Sequence, residues 1–141
     1  MTQLKQYLAA ATGTLAVWAG YLTGGLDAAL GILFVAMGLD LFTGVVTALM
    51  GRSGKTAAGS FRSAAMFSGL TKKLLMLTIV VLAALTDRAA GTAGICRTAA
   101  IAFYTANEAL SVLENARRMG VPFPRALEEK LKALRGEGEE E

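Results

Sequence analysis

AALGILFVAMGLDLFTGVVTALM, residues 28–50, is a run of 23 residues with a single charge, Asp40, near its centre. As a helix rising 1.5 Å per residue it is about 34 Å long, enough to cross the roughly 30 Å hydrocarbon layer of a bilayer. Outward from it, charge marks off three more apolar stretches. Residues 8–26 give 19 uncharged positions, also long enough to span. Residues 74–86 are short alone, but Lys72 and Lys73 before them and Arg88 after them can snorkel to the headgroups, giving a span of about 72–88. The fourth, ICRTAAIAFYTANEALSVL at 95–113, carries Arg97, Asn107 and Glu108 and is the most polar. Lys5 ahead of the first run is compatible with a cleavable signal, but no A-x-A site leading into a soluble domain follows it.

Composition agrees with a membrane protein. Of 141 residues 54% are hydrophobic and 18% charged, against roughly 25% charged in average soluble domains. There is no histidine, and the lone Cys96 has no cysteine to pair with in the chain, so the commonest neutral-pH acid/base and the usual metal or disulfide frameworks are missing. No nucleophile and base pair, metal cluster or phosphate loop is recognisable, and GRSGK at 51–55 lacks the spacing of such a loop. The reading is a non-enzymatic, all-α integral membrane protein without cofactor or nucleic-acid partner. It has three to four transmembrane helices in a single domain, residues 1–135.

Basic residues orient it. Arg52, Lys55, Arg62, Lys72 and Lys73 form a central loop without a single acid, which reads as cytoplasmic membrane-surface charge. If all four segments span, both termini join that loop inside, and twelve of the basic residues lie there, with only Arg88 and Arg97 outside. With three spans one terminus crosses over. AAGSFRSAAMFSGL, residues 57–70, reads either as a short amphipathic surface helix or as a plain basic connector. After Pro122 and Pro124, PRALEEKLKAL places Leu127, Leu131 and Leu134 on one face and Glu128 four residues before Lys132, a short amphipathic helix at 124–135. GEGEEE, 136–141, is too polar to pack and reads as a disordered acidic tail.

Polar groups inside such segments are the candidate functional residues. A mid-membrane carboxylate costs roughly 2.5–3.5 kcal/mol on insertion scales, so Asp40 must face other helices, water or a counter-charge. Ala36, Asp40, Gly44 and Ala48 recur every four residues, and Gly20 and Gly24 repeat the pattern in the first segment, as small residues do where helices pack closely. In the fourth segment Tyr104, Glu108, Ser111, Asn115 and Arg118 follow at spacings of 4, 3, 4 and 3, with Asn107 and Glu114 widening the stripe. Such a face lines a pore or an intersubunit seam, or else is the solvated side of an interfacial helix.

Three motifs carry a resemblance. LDLFTG at 39–44, FSGLTKKL at 67–74 and FYTANEALSVLENARRMGVPFP at 103–124 resemble, in order and spacing, the phage lysis and toxin-secretion holin family over roughly residues 26–134. Ala109 departs from a common glycine. The resemblance implies a multi-pass protein of the bacterial host's cytoplasmic membrane that homo-oligomerises in the lipid bilayer. The holes it opens release endolysin, without required direct contact, or a toxin. It assigns no pore residues, so Asp40, Tyr104, Asn107, Glu108, Ser111 and Asn115 stand as polar contacts on physical grounds alone. Alternatives are a small proton-coupled transporter using Asp40 or Glu108, and a membrane scaffold whose tail recruits a soluble partner.

Overall fold

The computed structural model describes residues 2–52 and 63–135; Lys55, Arg62, most of the central loop and the acidic tail lie outside the described residues. Five helices and no strand occur among the described residues: α1 (Thr2–Thr23), α2 (Ala28–Leu49), α3 (Ser63–Ala90), α4 (Ile95–Met119) and α5 (Arg125–Leu134). Helix limits differ from charge limits because Lys, Arg, Glu and Gln are good helix formers. Thus α3 begins by Ser63 and runs through Lys72 and Lys73, so residues 63–70 are its first turns and not a separate surface element. α4 passes Leu113 and stops only at Gly120, where φ is +85° and the amides of Gly120 and Val121 bond back to the carbonyls of Arg117 and Ala116. Glycine reaches that left-handed conformation at little cost.

Two segments, α2 and Met66–Ala90 of α3, are long and apolar enough to cross a membrane. α2 is apolar on nearly every side, and burial selects one stripe of it: Leu30, Leu33, Met37, Asp40 and Thr47. Leu30, Leu33 and Met37 form the core with Val80 of α3 and Ile101 of α4. The opposite sides leave Ile32, Val35, Leu39 and Phe42 of α2, and Leu74, Leu75 and Leu82 of α3, exposed. So much large apolar surface on two neighbouring helices is what a lipid environment accepts and water does not.

α4 is the hub of the fold, packing chiefly against α2 and then against α3, while α5 folds back along its side. α1 touches α3 and buries none of its own residues. At one end of the bundle Arg97, in the first turn of α4, donates to the carbonyls of Thr23 and Gly25 in the α1–α2 link. At the other, Arg52 after α2 reaches the carbonyl of Met119 at the end of α4. Successive helices α1 to α4 therefore alternate in direction, with both tight links at the same end.

Candidate functional site

Halfway along the bundle three helices each contribute one charged residue to a buried cluster. Lys73 of α3 donates to the Oδ2 of Asp40 on α2 at 2.8 Å and to the Oε2 of Glu108 on α4. Asn115, two turns further along α4, donates to the Oδ1 of Asp40 at 3.3 Å and to the Thr43 hydroxyl at 3.1 Å. That hydroxyl in turn donates to the Leu39 carbonyl. Asp40, Lys73, Glu108 and Asn115 are 6%, 8%, 2% and 6% exposed. Among the described residues the cluster sets two carboxylates against one ammonium in a place with little solvent. Lys73 bridges the two acids, and a buried charge is tolerated only when it is paired and hydrogen-bonded. One turn before Glu108, Thr105 Oγ1 is buried with no hydrogen-bond partner among the described residues.

Lys73 departs from the expectation that it lies on the membrane surface beside Lys72. The helix carries on through both residues, and a rotation of about 100° per residue leaves Lys72 exposed and turns Lys73 inward. Gly44 faces Asn115, whose Nδ2 is 3.7 Å from where a Cβ would stand. We expect Gly44→Ala to be tolerated and Gly44→Leu to push α2 from α4 and cost about 1–3 kcal/mol, measured by thermal unfolding in detergent. Ala48, one turn on, is half-buried. Gly20 meets only Leu26 of the following link. Gly24 lies past the end of α1 at φ +78°, where a Cβ would stand 2.9 Å from Arg97 Cδ on α4 and 3.4 Å from Ala84 Cβ on α3, so it serves the turn and sits close against two neighbouring helices.

The polar stripe of α4 is divided between two neighbours. Glu108 and Asn115 point into the bundle, Tyr104 packs on the apolar core, and Ser111 is half-buried. Asn107 instead accepts from Arg135 at 3.2 Å, and Arg117 pairs with Glu128 of α5 at 2.6 Å. α5 thus covers the flank of α4 for about three turns. Arg52 is exposed beside the end of α4.

A second polar layer, unread in the sequence, closes the end where the links meet. Arg97, only 8% exposed, binds Asp27 at 2.7 Å besides its two carbonyls. Asp27 also caps α2 by accepting from the Leu30 amide, and these bonds, the Arg97 one foremost, lower its carboxyl from 3.8 to about 2. Asp87, near the end of α3, accepts the amides of Cys96 and Arg97 and so caps α4 from outside it. From Asp27 to Asp40, and from Asp87 back to Lys73, is about 20 Å of helix, and the apolar core fills that interval. A legible sign existed: Asp27 directly precedes an apolar run, in the position of a helix cap.

The chain matches the bacteriophage holin family over residues 17–136. It is similar to an uncharacterised protein of Halalkalibacterium halodurans, 31% identical over 87% of this chain and 90% of that one. An uncharacterised protein of Listeria monocytogenes is 36% identical over 77% and 72% of the two chains. A protein of Bacillus phage phi105 named "Probable holin" is 27% identical over 79% and 77%. No solved structure matches.

Proposed function

This chain belongs to the bacteriophage holin family, and from that premise we propose that it assembles into homo-oligomers in the bacterial cytoplasmic membrane and opens holes. Through these an endolysin, or a toxin, leaves the cell without having to touch the protein. In this reading α1 to α4 all span, the two tight links face outward, and the basic central loop and both termini are cytoplasmic.

The observation that carries the proposal is the charged cluster at mid-depth. Two acids and a lysine stand midway along three packed helices, two of which, α2 and α3, have apolar outer faces, and the contact of α2, α3 and α4 brings these charges together within one chain. A monomer can so shelter its polar groups during accumulation. If the helices part on assembly, Asp40, Lys73, Glu108, Asn115 and the buried Thr105 hydroxyl become a polar lining for water or for a neighbouring subunit. The device has two states.

Inducible expression in a bacterial host, with and without a cytoplasmic endolysin, tests the function. Abrupt depolarisation, with lysis only when the endolysin is present, is the expected result; a sealed membrane at high protein abundance returns the transporter and scaffold readings. Asp40→Asn and Glu108→Gln test the cluster's part in it. Each keeps the side-chain shape but removes a charge facing Lys73, and should move the onset of lysis or the oligomer yield. If both stay at parental values in both variants, the cluster has no part in the switch.

A further inference from the structure

Where α4 turns into α5, Arg117, Arg125 and Lys132 stand around an open cavity of about 520 Å³. Its two acids are Glu128 and Glu129, and Val121 and Phe123 supply apolar wall. Glu128 already serves two cations, Arg117 at 2.6 Å and Lys132 at 3.0 Å. Arg117 also lies over the Phe123 ring, 5.3 Å from its centroid. Among the described residues three cations and two carboxylates line it, a net positive charge, and Arg125 stands exposed on the rim. A guanidinium fork, an ammonium and an apolar wall, with cations in excess among the described lining residues, suit a monoanionic phosphodiester that carries hydrocarbon.

We propose that this elbow binds the headgroup of an anionic phospholipid. The proposal rests on the four-span reading, which puts the end of α4 at the cytoplasmic surface, where anionic headgroups attract basic residues near the membrane. Val121, half exposed at the mouth of the cavity, then lies against the glycerol and upper acyl chain. Bound there, the lipid fixes the height of the α4–α5 elbow relative to the bilayer.

The test uses the full-length protein purified in detergent and titrated calorimetrically with short-chain phosphatidylglycerol, phosphatidylcholine of equal chain length, and inorganic phosphate. Phosphatidylglycerol should bind at least tenfold tighter than either of the others. The double substitution Arg125→Gln with Lys132→Gln should erase most of that preference while helicity and melting temperature stay unchanged. Equal affinity for the two lipids overturns the proposal, as does a preference that survives the double substitution. Phosphate binding as tight as phosphatidylglycerol also overturns it, showing a free-anion site. Depolarisation in cells is read separately, so loss of the hole-forming reading is distinguishable from loss of this one.

Discussion

Lys73→Met is expected to lower the stability of the protein by about 3–5 kcal/mol, the usual consequence of removing one partner from a buried ion pair. Lys73 is the shared donor for Asp40 and Glu108, and its loss takes the bridging ammonium away from two carboxylates that are 6% and 2% exposed. Methionine fills nearly the same volume, so the effect reports on charge and hydrogen bonding and not on a cavity. Unfolding of the purified protein by graded denaturant in detergent measures it. Lys72→Met, one residue away on the exposed side, should stay within about 0.5 kcal/mol of the parent. Adding Asp40→Asn and Glu108→Gln to Lys73→Met removes the repulsion and should restore most of the loss. A single Lys73→Met variant within about 1 kcal/mol of the parent would show that the cluster is not held together by its lysine.

The inward turn of Lys73 also shows what was legible in the sequence and what was not. Helix content, the two strongly apolar segments and the amphipathic α5 follow from local pattern, because each depends on propensity and on runs of one kind of residue. The partner of Asp40 could not follow from a run. A mid-helix acid requires a counter-charge, and the candidates were basic residues that a charge map places at the surface. Lys73, Val80, Ala84 and Asp87 lie on one helical face at spacings of 7, 4 and 3, and all four are buried. That periodicity is visible once α3 is allowed to continue upstream of Leu74. Treating Lys72 and Lys73 as the edge of a span hid it. The stripe on α4 was legible as a stripe, but two neighbours divide it, and α5 takes its Asn107 and Arg117 side only because Gly120 and Pro122 turn the chain back along α4.

Arg97→Met should detach α1 while leaving the core of α2, α3 and α4 intact. α1 buries no residue of its own, so its place beside α3 depends on few contacts. Arg88 contributes a bond to the Tyr21 carbonyl and a guanidinium 4.4 Å from the Tyr21 ring, but it is exposed. The buried tether is Arg97, with Thr23, Gly25 and Asp27 as acceptors. Losing it should cost about 2–3 kcal/mol, discounted for the half-exposed Asp27 side chain. The loss should be local: amide exchange across residues 17–27 accelerates, while exchange around Leu33, Val80 and Ile101 stays slow. Gly24→Ala attacks the same joint from the other side, since its Cβ would stand 2.9 Å from the Arg97 Cδ in a backbone conformation at φ +78°. A pH series separates the charge from the packing. The folded-state carboxyl of Asp27 is held at about 2 against an ordinary 3.8, so its contribution is fully present above the higher value. It disappears as pH falls through the lower one. The parent should therefore loosen at residues 17–27 within that acid window, and Arg97→Met, which has already lost the pair, should show little further change there. Uniform acceleration through all four helices in Arg97→Met would instead mean that the link layer supports the whole bundle, and that α1 is no separate unit.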